Sequence, residues 1–328
     1  ALIAALVNTK VQNFENVSYL SYWLGISFGV VLQRSRFCFY CISRDFIEKK
    51  NSIGLLGIIT ALAIGTLGYH IVFGAFLIEP LSPQLPPNAH ISPVSIVLIL
   101  GSLSFGFGMA LAGSCISAQL YRLGEGLVSS VFAFIGIIFG FIIAFKVWNY
   151  FYLKIIIDAP VVWLPHYFGY TRTVILQLFI LLCLALIFLK FHKKQKREVV
   201  KSWWKVKWPT YVGGILIGLI GMIAFLRITP LGVTAELGNL SRNLGDYLNV
   251  TPIRLEGFDT LRGCLGLVKN IFWTNNGLFI LGLVLGSLAS AIFSEDFKIQ
   301  LTIVLKMIEF NLIDFSVLYK LHPQELED

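Results

Sequence analysis

The stretch PVSIVLILGSLSFGFGMALAGSCISAQLYRLGEG, Pro93–Gly126, decides the fold class. Its first part, Pro93–Ile116, contains no Asp, Glu, Lys or Arg. A helix needs about 20 apolar residues, at 1.5 Å each, to cross the hydrocarbon core of a bilayer. This run is long enough, but it ends in Gly113-Ser114-Cys115 and continues into a segment that carries Arg122 and Glu125. Irregular backbone at membrane depth survives only where protein or a water-filled cavity satisfies its polar groups. The spacing therefore predicts a spanning helix that breaks and runs on as a short re-entrant half-helix.

The same reading extends along the chain. Further apolar runs cover Ile53–Ile78, Leu127–Phe145, Thr171–Phe191, Trp208–Ile228 and Gly277–Phe293, and Ser18–Phe37 is an apolar stretch ending in Arg34 and Arg36. Only 13% of residues are charged and 56% are hydrophobic, with a mean hydropathy of +0.78. A soluble protein carries about 25% charged residues, so lipid must cover most of this surface. The expected fold is an all-α polytopic membrane protein. The aromatic, semi-polar stretch Val147–Tyr170 is expected to lie at the membrane interface rather than to span it. No charged segment followed by a small-residue cleavage site is present at the start, so a cleaved signal peptide is not expected.

The net charge is +8, yet its distribution excludes nucleic acid as the partner. The largest basic cluster is a single run, His192–Lys207, which holds seven Lys or Arg, and a smaller one is Arg44, Lys49 and Lys50. The Pro-rich loop Glu79–Ser92 has none. Positive residues favour the cytoplasmic side, so the basic loop 192–207 of this multi-pass protein is expected in the cytoplasm, where it also meets anionic membrane lipid.

The expected organisation is a first transmembrane repeat over 1–150, a linking helix and basic loop over 151–207, and a second repeat over 208–328. Each half has an arginine-cysteine element, Arg36-Phe37-Cys38 and Arg262-Gly263-Cys264. Each also has a glycine-spaced helix, Phe105–Gly113 and Tyr211–Gly221. Related halves with broken helices suit a transporter whose site lies near the midplane, although glycine spacing also serves ordinary close helix packing. The long glycine-rich stretch Thr229–Asn276 is expected to hold re-entrant half-helices around a central path.

Five cysteines are present. Cys183 sits in the apolar run LFILLCLALIF and reads as a small hydrophobe. Cys38 and Cys41 form C-F-Y-C, but a redox pair wants a soluble βαβ setting. Zinc wants further ligands at suitable spacing, so neither metal nor cofactor is expected. Cys38, Cys115 and Cys264 share another setting: each marks a break in an apolar segment and has an arginine nearby, Arg36, Arg122 and Arg262 respectively. A neutral thiol is small and a weak donor, while arginines and half-helix N-termini offset anionic charge. Ionisable residues in membrane segments are functional candidates by default. The candidate path residues are therefore Cys38, Cys115, Cys264, Arg36, Arg122, Arg262, Gly113 and Glu125, for a small inorganic sulfur anion.

These residues fall in strings that resemble the YeeE/YedE family of sulfur-compound transporters, which includes thiosulfate permeases. The strings are LQRSRFCF at Leu32–Phe39, RDF at Arg44–Phe46, FGFGMALAGSC with LYRLGEG across Phe105–Gly126, RGCLG at Arg262–Gly266, and GLFILGLVLGSLAS with EDFK across Gly277–Lys298. The resemblance implies inner-membrane uptake of thiosulfate through cysteine-bearing short helices that meet at the centre of an hourglass, thiols passing the anion by transient hydrogen bonds. It maps Cys38 and Cys115 onto two of the family's path cysteines. It also raises a cytoplasmic sulfurtransferase as a candidate partner that receives the substrate. The family's last motif, of the type Gly-Ala-Arg…Gly-Cys-Asn, is not found, and the final thirty or so residues read as a divergent or truncated C-terminus. Two other functions compete: a non-transporting degenerate paralogue, and a membrane thiol enzyme forming a cysteine persulfide. The enzyme needs a base near the thiol, and no histidine is close in sequence to Cys38 or Cys115.

Overall fold

A computed structural model describes residues 14–76, 91–192, 207–228, 232–252, 254–257 and 274–299, and every regular element among them is helical. In chain order these are α1 (Phe14–Ser35), the short α2 (Phe39–Lys49), α3 (Ile53–Phe76), α4 (Ile96–Ala112) and the short α5 (Ile116–Gly124). There follow α6 (Ser129–Phe151), a π-helical turn at Tyr152–Ile156, α7 (Leu164–Lys190), α8 (Thr210–Arg227), α9 (Val233–Tyr247) and α10 (Asn275–Phe293). Six stretches among the described residues are long and apolar enough to cross a membrane, α4 and α5 counting together as one. The chain is thus an all-α polytopic membrane protein.

Two close helix pairs form its frame. On α1, a Cβ at Gly25 would strike the Phe279 carbonyl and one at Gly29 the Leu283 carbonyl. On α10, a Cβ at Gly282 would strike the Tyr22 carbonyl and one at Gly286 the Ile26 carbonyl. The contact points advance together along both helices, so α1 and α10 run parallel with their backbones touching through two G-x-x-x-G faces. Polar ties close both ends of this seam: Ser21 Oγ donates to the Asn275 carbonyl at 2.6 Å, and Ser290 Oγ donates to Gln33 Oε1 at 2.7 Å. The α3–α8 pair repeats the arrangement, with Gly57 against the Thr210 carbonyl, Gly214 against Gly57, and Gly68 against Met222.

The two glycine-spaced helices that echo one another in sequence therefore differ in packing. Gly213, Gly214 and Gly218 of α8 are buried in contact, whereas Gly106 and Gly108 of α4 face open space among the described residues. None of the α4 apolar window is buried.

Val147–Tyr170 is divided between the end of α6, the π-helical turn and the start of α7. Its first part completes α6, because Trp148 Nε1 donates to the Glu256 carbonyl and Asn149 Nδ2 to the Arg254 carbonyl, both at 2.8 Å. These bonds satisfy the polar tips of the last helical turn and let it continue. Its last part opens α7, where Pro165 stands in the first turn and Gly169, at φ +74°, kinks the helix; only glycine takes that conformation without strain. Of the stretch Thr229–Asn276, Val233–Tyr247 forms α9, a 15-residue helix shorter than the roughly 20 residues of a span. Arg262 and Cys264 lie outside the described residues, as do most of the basic loop, the Pro-rich loop and positions 300–328.

Gly29→Leu is expected to lower the thermal unfolding midpoint of the detergent-solubilised protein sharply, since overpacking typically costs about 1–3 kcal/mol and here meets backbone. Gly106→Ala, with nothing within 4 Å of the new methyl group, is expected to stay within about 0.5 kcal/mol of the parent. Equal effects of the two changes would remove the α1–α10 seam as the frame.

Candidate functional site

Two short helices start at the same place, and each is started by a cysteine. α1 ends at Ser35; Arg36 takes a left-handed conformation at φ +49°, and two residues later Cys38 caps α2. α4 ends at Ala112; Gly113 turns left-handed at φ +68°, and two residues later Cys115 caps α5. The strings R-F-C and G-S-C thus build the same corner, one with glycine and one with a strained arginine. Cys38 Sγ accepts from the Cys41 amide at 3.4 Å, as a capping side chain does.

The corners bring three sulfurs together. Cys38 lies in the buried core cluster, and Cys41 and Cys115 pack against that cluster. Cys38 has no exposed surface. The positive ends of both half-helix dipoles therefore point at one thiol cluster.

The broken backbone is satisfied by side chains of α5. Arg122 Nη1 donates to the Gly113 carbonyl and Nη2 to Cys41 Sγ, each at 3.3 Å. Gln119 Nε2 donates to the Ala112 carbonyl at 3.0 Å, and Ser130 Oγ donates to Gln119 Oε1 at 2.8 Å. The last carbonyls of α4, which have no intrahelical donor, thus acquire partners, and Gly113 serves the site through its carbonyl as well as its turn.

A cavity of about 390 Å³ opens beside the cluster, lined among others by Ser35, Arg36, Cys41, Arg44, Lys49 and Arg122. Its lining carries four cationic side chains against one carboxylate, Asp45. Asp45 accepts from Lys49 Nζ at 3.2 Å and so is already engaged. The cavity lies at the end of the bundle where α3 and α8 begin, the end that also holds His192, whose Nδ1 accepts from the Ser52 amide at 3.4 Å.

Glu125 stands apart from the thiols. It is buried, 3.6 Å from Arg36 Nη2, and accepts from Gln33 Nε2 at 3.2 Å. Gln33 Nε2 also reaches Asp296 Oδ2 at 3.3 Å, and the Lys298 amide donates to the Glu125 carbonyl at 3.1 Å. Glu125 therefore ties the end of α5 to α1 and to the chain after α10.

Of the residues expected to form the path, Cys38, Cys115, Gly113 and Arg122 come together, though Arg122 meets Cys41 and the Gly113 carbonyl rather than Cys115. Arg36 lines the cavity and pairs with Glu125. Arg262 and Cys264 lie outside the described residues. Sequence reasoning missed Cys41, three residues after a cysteine N-cap and thus one helical turn away, and Gln119, a lone amide in an apolar run.

Apolar helices continued by two half-helices, each with a cysteine at its N-cap position, define a polytopic membrane protein with a thiol-and-arginine centre. A family model described as Sulphur transport matches residues 34–310, and the chain belongs to that family. It is 37% identical over 111 residues to the thiosulfate transporter TsuA of Spirochaeta thermophila, covering 34% of this chain and 31% of that protein. It is 24% identical over 307 residues to the thiosulfate transporter TsuA of Escherichia coli, covering 84% of this chain and 75% of that protein. It is also 29% identical over 132 residues to the probable transporter YedE of Escherichia coli, covering 40% and 30%. The match thus spans about a third of the Spirochaeta thermophila relative and three quarters of the Escherichia coli one.

Because Cys41 borders the cavity and Cys38 is fully enclosed, single-cysteine variants are expected to differ in alkylation. Cys41 should react at least about ten-fold faster than Cys38 with a polar maleimide, access and thiolate character setting the rate. Equal rates would place the cavity elsewhere.

Proposed function

We propose that the chain takes up thiosulfate or a related small sulfur anion across the inner membrane along a path through the Cys38–Cys41–Cys115 cluster. The observation that carries this reading is the cluster itself: three thiols at the converging N-termini of two half-helices, beside a cavity whose lining is strongly cationic. Thiols donate weakly to a sulfur or oxygen anion and let it go. The helix ends and Arg122 offset its charge without a permanent partner that would hold it. Conduction requires that balance between entry and release.

In this reading the basic loop 192–207 and the cationic cavity face the cytoplasm. The cavity is then the exit, where a soluble sulfurtransferase can collect the anion. Arg262 and Cys264 belong to a second, related half that completes the path. The names of the relatives support transport of this substrate class and give no support to an enzyme.

Uptake of radiolabelled thiosulfate into cells lacking other importers tests the proposal. Cys38→Ala, Cys115→Ala and Arg122→Gln are each expected to reduce uptake by about ten-fold or more, the loss of a hydrogen bond to a charged group being worth ~1.5–3 kcal/mol. Wild-type rates in both cysteine variants would sink the thiol path, and no uptake by the parent chain would favour a non-transporting paralogue.

A further inference from the structure

A second cavity, of about 450 Å³, lies between α3 and α7 and takes no part in the thiol centre. The two share no lining residue, and their nearest ones on α3, Gly54 and Ala61, are about 10 Å apart at 1.5 Å per residue. Its walls include Leu62, Tyr69, Ile91, Val162 and Leu164, and no Asp, Glu, Lys or Arg lines it. Three buried polar atoms gather here without a hydrogen-bond partner among the described residues: His70 Nε2, Trp163 Nε1 and the Tyr170 hydroxyl. His70 and Trp163 both line the cavity, and they are 7% and 5% exposed. The Tyr170 ring meets both edge-on, at 6.3 and 6.4 Å between centroids.

An unpaired buried polar group costs about 1–3 kcal/mol, so His70 Nε2 and Trp163 Nε1, which line one cavity, call for a common partner. Their chemistry restricts it. His70 Nδ1 lies 2.8 Å from the Thr66 carbonyl, and a carbonyl only accepts, so Nδ1 carries the proton. In the neutral ring Nε2 is then an acceptor. Trp163 Nε1 is a donor only. The partner must therefore donate to one and accept from the other, which a water molecule or a hydroxyl group does and a carbonyl or an anion does not; the volume and apolar walls suit a larger hydroxyl compound. An anion also finds no countercharge here.

We propose that this cavity binds a neutral, membrane-soluble molecule through a hydroxyl group that donates to His70 Nε2 and accepts from Trp163 Nε1. Ligand sites run from about 300 to 1,000 Å³, so this one holds a single ring or a glycerol head while the tail stays in lipid. A quinol and an acylglycerol share that chemistry. The aromatic walls of Tyr69 and Trp163 accept either the ring face or the glycerol carbons.

The test uses the full chain in lipid nanodiscs at pH 8, titrated with a decyl-substituted benzoquinol kept reduced, with a monoacylglycerol, and with the dimethyl ether of each. Saturable binding of one hydroxyl probe is expected, and which one binds identifies the source. Its ether with both hydroxyls methylated, which cannot donate, should bind at least about ten-fold more weakly, as should the parent probe to His70→Phe and to Trp163→Phe, one lost hydrogen bond being worth of that order. Thermal unfolding of each variant is followed alongside; if His70→Phe does not fold, Trp163→Phe and the ether comparison still decide. No saturable binding of either hydroxyl probe, or ether and variant affinities equal to the parent's, would overturn the proposal.

Discussion

Everything around the thiol centre follows from one constraint: carbonyls freed by a broken helix inside an apolar bundle must find donors. At the end of α4 the donors are Gln119 and Arg122, both on α5. The half-helix is thereby hooked back onto the helix it interrupts, and Arg122, once placed on the Gly113 carbonyl, has its second arm on Cys41. An unmet buried backbone group costs about as much as a lost hydrogen bond, so these side chains are needed for the break to persist at all. The polar residues of the centre thus hold the fold and shape the site at the same time.

Much of the fold was legible because membrane spans announce themselves by length. Ile53–Ile78, Leu127–Phe145 and Thr171–Phe191 became α3, α6 and α7 with shifts at their ends. The pairing of helices was less legible. Glycine spacing on α1, α8 and α10 marks backbone contact, but the same spacing on α4 does not, since a glycine pattern records what a helix permits and not what lies across from it. In Val147–Tyr170 the aromatic and polar residues typical of an interface did not show that Trp148 and Asn149 bond to the chain beyond α9.

The site was legible in its residue types and less so in its pairings. A cysteine at a break, flanked by glycine or serine and followed by an arginine, marks where α5 begins. It does not say that Arg122 at i+7 from Cys115 turns toward Cys41 instead, because that choice rests on α2 and α5 starting side by side. Glu125 was chosen as an intramembrane charge, and its burial is real, but its partners Gln33 and Arg36 place it in the seam between α1, α5 and the chain after α10.

The enclosure of Cys38 in the buried core beside two other cysteines has a consequence for protons. A proton hops along chains of strong hydrogen bonds between water molecules and oxygen or nitrogen groups, and thiols are weak donors and weak acceptors. A centre floored with sulfur interrupts such a chain while leaving a soft, polarisable surface. On the path proposed above, a floor of thiols relays protons less well than three serine hydroxyls would.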